Sequence, residues 1–175
     1  SFKVEHVHDS VLFYLKKRCE LDGLNTAFAY EVAKYYKDYA KNLDEALVWY
    51  DKCVELQKSI MSGDHPALAR SYNDIGSVYF EQGNYDEALA WYDKAFNIYD
   101  KVLDPRHIDF MSLHTDIGEA YFAKGNYDKA LEWYNTVLSK EEAVLTANHP
   151  ELMRLYFDMG LAYGANRMYN NALNL

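Results

Sequence analysis

The chain has 175 residues, of which 50% are hydrophobic and 26% charged, and carries a formal net charge of −9. That balance fills the core of one domain or one solenoid segment, and its acidity works against phosphate backbones and anionic lipid surfaces, so neither a nucleic-acid nor a membrane partner is expected. Two cysteines, Cys19 and Cys53, with no C-x-x-C, are too few for a disulfide framework and point to reduced thiols in the cytoplasm; no stretch has the length and apolarity of a membrane span or a signal peptide.

In chain order, the first element is a helix over 7–21, in which Val7, Val11, Leu12, Tyr14, Leu15 and Cys19 share one face. It is expected to pack on the first helix pair, either as a lone helix or as half of a preceding, degenerate unit. The chain opens at Ser1 without Met, as an excised fragment would. From residue 22 a 42-residue ruler governs the sequence. Trp49, Trp91 and Trp133 keep that step, as do Ala46, Ala88, Ala130 and Ala172, Gly76, Gly118 and Gly160, and Tyr79, Tyr121 and Tyr163. The blocks GNYDEALAWY (83–92) and GNYDKALEWY (125–134) are nearly identical. The units are expected at 22–63, 64–105, 106–147 and 148–175, with 1–21 ahead of them.

Each unit divides into two amphipathic helices. In the second, Leu68, Tyr72, Ile75, Tyr79 and Phe80 recur at helical spacing, and Gln82-Gly83-Asn84 then stops the run because glycine accepts the left-handed conformation without penalty. Ala88, Leu89, Trp91, Tyr92, Ala95, Ile98 and Tyr99 form the second run. Asp64-His65-Pro66 opens the unit, with Asp64 read as the cap and proline in the first turn. The predicted pairs are 24–40 with 43–61, 66–82 with 85–103, and 108–124 with 127–145; a fourth begins at 150–165 and is cut off within 169–175. The first unit departs from the pattern, with Lys34 at the register of Gly76 and Leu43 at that of Tyr85. Terminal repeats commonly depart in this way, since one face meets solvent.

The order Gly76, Tyr79, Gly83, Tyr85, Ala88, Tyr92, Ala95 resembles the tetratricopeptide repeat, and the long unit opening on D-H-P (64–66, with Asn148-His149-Pro150 as a variant) resembles its kinesin-light-chain-like subtype. Asp104-Pro105-Arg106-His107 departs from that opening. The resemblance covers residues 24–175 and implies an all-α, right-handed α-solenoid of antiparallel helix pairs, whose first helices line a concave groove. It implies a groove lined in the second unit by Arg70, Asn73, Asp74, Ser77 and Phe80. In the third the implied positions are Ser112, Thr115, Asp116, Glu119 and Phe122. In the fourth they are Arg154, Phe157, Asp158, Leu161 and Gly164, and in the first Phe28, Glu31, Val32, Tyr35 and Asp38.

Within that groove Asp74, Asp116 and Asp158 form a ladder where related long-repeat proteins usually carry Asn. Asp accepts hydrogen bonds and cannot donate them. The ladder therefore suits backbone N–H groups and the Lys or Arg side chains of a net-basic peptide. The alternative is pairing from within, because Arg70 and Arg154 each stand four residues before an Asp. That would leave Asp116, beside Ser112, the most accessible rung. The clamp for a chaperone's C-terminal carboxylate is incomplete, since Glu31 and Tyr35 occupy the positions its Lys and Asn would need, so a chaperone tail is not an expected partner.

Residues 64–105 hold eight Asp and Glu against three Lys and Arg, so the negative field is central, much of it on solvated second helices. The six His suggest no metal. His65, His107 and His149 follow the 42-residue ruler, and helices roughly 8–10 Å apart cannot bring such residues to one ion. Each is expected to cap or pack a turn between units. His6-x-His8 is an isolated pair, and His114 reads as packing. No nucleophile motif, phosphate loop or dinucleotide fingerprint occurs, so no catalysis and no cofactor are expected. The leading expectation is a protein-interaction scaffold that binds a partner segment. The alternatives are a structural or self-associating solenoid and a regulatory segment of a larger signalling protein or enzyme.

Overall fold

A computed structural model describes residues 2–21, 25–104, 106–141 and 150–173. Among them are eight helices: α1 (Phe2–Leu21), α2 (Thr26–Asp38), α3 (Leu43–Ile60), α4 (Pro66–Glu81), α5 (Tyr85–Val102), α6 (Ile108–Ala123), α7 (Tyr127–Glu141) and α8 (Pro150–Leu173). The helix starts are set by side chains that accept otherwise unpaired N–H groups. Asn25 accepts from Ala27, and Asn42 from Glu45. His65 Nδ1 accepts the Ala67 amide at 3.1 Å, and His107 Nδ1 that of Asp109 at 3.2 Å. The cap of α4 is thus His65 and not Asp64, whose carboxylate instead receives Lys101 Nζ at 2.9 Å. Pro66 follows in the first turn, where its missing N–H costs nothing. His149, on the same ruler, lies outside the described residues.

The first helices of the units end on left-handed residues. Gly83 (φ +79) and Gly125 (φ +77) turn the chain, and the amides of Asn84 and Asn126 close back on Tyr79 and Tyr121. In the first unit Lys41 takes this role at φ +51, a conformation that costs a residue with a Cβ about 1 kcal/mol. The fourth unit has Arg167 at this register, and no turn forms: α8 runs unbroken to Leu173. The expected break after 165 is therefore absent, since nothing there relieves the left-handed conformation that a stop requires.

Successive helices pack in order along the chain, so the architecture is an α-helical repeat solenoid in which each helix meets chiefly its neighbours. Small residues permit the close approach within pairs. A Cβ on Gly76 would stand 2.5 Å from the Tyr92 ring, and one on Gly118 would collide with Tyr134, whereas nothing lies within 4 Å of Gly160. Tyr50, Tyr92 and Tyr134 are buried beside Ala46, Ala88 and Ala130. Their hydroxyl pKa values are all raised by burial, so these phenols stay neutral. One core cluster extends from Ala29 to Ala120 and a second from Met111 to Ala162, and Tyr121 packs against both.

The seams between units carry a repeated exposed clamp. Asp44 accepts from Gln82 Nε2 at 3.2 Å, Asp86 from Lys124 Nζ, and Asp128 from Asn166 Nδ2 at 2.7 Å. The donor changes chemistry from unit to unit while the acceptor stays Asp. Each such exposed contact is worth only a few tenths of a kcal/mol to ~1 kcal/mol, so the clamp sets register more than stability.

Candidate functional site

The first helices also meet one another across the seams, α4 against α6 and α6 against α8, so they form the inner face of the solenoid. The helix period brings positions 70, 73, 74, 77 and 80 and their register equivalents toward that face, but Val32, which stands at the register of Asp74 in the first unit, is fully buried in the core and lines no groove. Asn73, Asp74, Ser77 and Phe80 are half-buried there, as are Thr115, Asp116, Glu119 and Phe122. Arg70, Ser112 and Arg154 are exposed, and so are Phe157 (66%) and Leu161 (47%).

The rungs of the Asp ladder are held across units rather than along one helix. Tyr30 on α2 donates its hydroxyl to Asp74 Oδ2 at 2.5 Å, and Asn73 Nδ2 on α4 donates to Asp116 Oδ2 at 2.9 Å. The alternative pairing of Arg70 with Asp74 does not form, because Arg70 Nη2 reaches forward to Asp109 Oδ2 at 2.6 Å. Nor is Asp116 the most accessible rung. Burial pushes its carboxyl pKa up to about 6, against the lowering effect of the Asn73 hydrogen bond, and the nearby Glu119 carboxylate adds to the rise. Asp74 is raised for the same main reason, opposed by Tyr30 and then by Lys37, Lys34 and Arg70.

Asp158 differs. Arg154 gives its Nη2 to Glu119 and leaves only its Nε near Asp158 Oδ2, at 3.9 Å, beyond hydrogen-bonding reach. Asp158 Oδ2 is buried and receives no hydrogen bond among the described residues. Burial, then the Glu119 charge, raises its pKa, and Arg154 opposes the rise. The two residues that occupy donor registers in the preceding unit are both turned inward: Thr115 Oγ1 donates to the Met111 carbonyl, and His114 Nδ1 bonds the Phe110 carbonyl at 2.6 Å. His114 is a buried packing residue, set among Phe96, Phe110 and Trp133.

The predicted residues gather at two places. Phe80, Glu119, Phe122, Asp158 and Leu161, with Ala123 and Tyr134, line a cleft of about 140 Å³ between α4, α6, α7 and α8. Arg70 instead joins Thr26, Ala27, Tyr30, Glu31, Gln57 and Ala67 around a cleft of about 290 Å³ nearer the first unit. Ser77 belongs to neither; its Oγ accepts from Lys37 Nζ at 2.8 Å, and Lys37 also lies 3.8 Å from Glu81. Sequence reasoning missed Tyr30, Lys37 and Asp109. Their signal was spacing: Tyr30 lies 44 residues before Asp74 and Asn73 lies 43 before Asp116, just off one repeat length. Among the described residues no three His, Cys, Asp or Glu side chains converge as a metal site would need, and no helix is long and apolar enough to cross a membrane.

The chain matches the tetratricopeptide repeat family over residues 25–107 and 109–175. Its fold is similar to that of a Podosopora anserina "kinesin light chain nearly identical TPR-like repeats" structure, with a TM-score of 0.76 at 19% identity, over 99% of this chain and 85% of that one. It is similar to BtubC (BKLC) from P. vanneervenii with a TM-score of 0.76 at 16% identity, over 98% and 68% of the two chains. The N-terminal domain of stress-induced protein-1 (STI-1) from C. elegans matches less well, with a TM-score of 0.56 at 20% identity, over 77% of this chain and 94% of that one. At these identities the likeness is one of fold. No curated protein sequence matches the chain significantly.

Proposed function

Because the chain belongs to the tetratricopeptide repeat family, we propose that it is a protein-interaction scaffold whose concave face takes an extended, net-basic segment of a partner. The observation that carries the reading is the mixed character of that face. Half-buried Phe80 and Phe122 and exposed Leu161 line one cleft with Glu119 and Asp158. Apolar surface supplies affinity, and carboxylates favour encounter with cations. The reading assigns the chain no catalytic step, and a cytoplasmic setting goes with it. Burial pushes the Cys53 thiol pKa up to about 11, which keeps it unreactive.

Titration of fluorescein-labelled basic, neutral and acidic peptides onto the protein tests this. Basic peptides should bind tightest, with affinity falling as salt rises. Equal, salt-insensitive affinity for all three would remove the acidic groove.

Self-association is the second reading, favoured by one observation. Met153, Gly160 and Tyr163 on α8 are exposed, whereas at the same register Met111 is buried and Gly118 meets Tyr134. Light scattering across a concentration series separates the two, because a concentration-independent monomer excludes self-association.

A further inference from the structure

We propose that the cleft between α4, α6 and α8 is an anchor pocket for a single lysine side chain of the partner segment, whose ammonium supplies the hydrogen bond that Asp158 lacks. This rests on the concave-face reading above and gives it a place and a residue type.

Three observations meet at the cleft. The first is the vacant acceptor: Asp158 Oδ2 is buried with no donor among the described residues, while the equivalent oxygens of Asp74 and Asp116 are served by Tyr30 and Asn73. A buried acceptor without a donor is costly, so a rotation that turns this carboxyl toward the cleft and onto a partner's donor recovers that cost. The second is the walls. Phe80, Phe122, Leu161 and Ala123 give an apolar lining, and about 140 Å³ is the scale of a side chain and not of a backbone segment. A lysine stem lies well along such a wall while its charged head seeks the polar end, and aromatic faces attract the ammonium as well. The third is local charge. Asp158 and Glu119 face the cleft, and among the described residues Arg154 is the only cation paired with either, so the site keeps one uncompensated negative charge. A neutral apolar anchor would fill the walls and leave both that charge and the orphaned oxygen unanswered. A carboxylate would be repelled.

The experiment uses the chain with Nα-acetyl-lysine N-methylamide, its norleucine isostere and its glutamate counterpart. Binding is followed by NMR on the Leu161 methyls and the Phe80 and Phe122 rings. The lysine probe should bind roughly tenfold more tightly than the norleucine probe, the scale of one hydrogen bond to a charged group. The glutamate probe should not bind. Asp158→Asn should bring the lysine probe down to the norleucine level and leave the norleucine probe unchanged. Thr115→Asn repeats Asn73 one unit later, so it should fill the rung from within and weaken the lysine probe by a similar factor. Thr115→Asn also serves if Asp158→Asn fails to fold. Norleucine binding at the cleft as tightly as lysine would overturn the lysine anchor and leave the concave-face reading standing. Lysine-probe shifts confined to the Glu31–Arg70 cleft would do the same. Loss of salt-dependent peptide binding altogether, in the titration above, would remove both.

Discussion

Asp116 and Asp158 are the same residue type at the same register of adjacent units, yet they live in different chemical states. Asp116 is served by Asn73 and closed in; Asp158 lines a cleft and carries a buried, unserved oxygen. The difference lies in the preceding unit, where position 73 holds an amide that reaches across the seam and position 115 holds a hydroxyl that bonds its own helix. In a repeat protein a residue's environment is written one unit away. A rung becomes structural or available according to its neighbour's donor.

The largest expected effect tests the closed end of that comparison. Asp116 has a folded pKa of about 6, above its unfolded value near 3.9. Its contribution to stability is therefore fully present below the unfolded value and is lost as pH rises through the folded one. Relative to Asp116→Asn, the native chain should lose roughly 2 kcal/mol between pH 4 and 7 in urea unfolding. A difference between the two proteins that stays flat with pH would refute the buried rung. Next, Tyr30→Phe makes rung 74 resemble rung 158 by removing its donor; it should cost ~2 kcal/mol at pH 7, and less as acid protonates Asp74. The glycines give a third contrast. Gly76→Ala drives a Cβ into Tyr92 and should cost about 1–3 kcal/mol, whereas Gly160→Ala meets open space and should gain up to ~1 kcal/mol from helix propensity. Equal effects at the two sites would mean that α8 is covered. The smallest is Lys41→Gly, which relieves a left-handed side chain in the degenerate first unit and should raise the melting temperature by a few degrees, for ~0.5–1 kcal/mol.

The fold was legible because the signals that build it are local. The stops at Gly83 and Gly125 follow from a residue's own backbone needs and from the repeat register. The site was legible only in part. Positions 80, 119, 122, 158 and 161 do converge on one cleft, as helical geometry with a fixed unit length requires. Their bonding state was not legible, because reading along one helix pairs Arg70 with Asp74. The longer reach across the seam to Asp109 wins instead. Asp64 was misread as a cap for a related reason. A carboxylate and an imidazole can both cap, and only the seam partner Lys101 shows which residue is otherwise engaged. The missing turn in the fourth unit was in view at Arg167 and was outweighed by the continuing pattern at Ala172.

The seam clamps have a consequence for how such a chain tolerates change in length. Asp44, Asp86 and Asp128 each accept from a residue 38 positions later, and Gln82, Lys124 and Asn166 all serve. Excision of residues 64–105 would set Asp44 opposite Lys124 and bring Tyr30 to Asp116 at the spacing it now has to Asp74. Both ends of the cut would meet a chemically competent mate. The joints are generic where the faces are particular, so the solenoid can be shortened by a whole unit without a new kind of contact, while the identity of its ligand pocket shifts with whichever donor arrives.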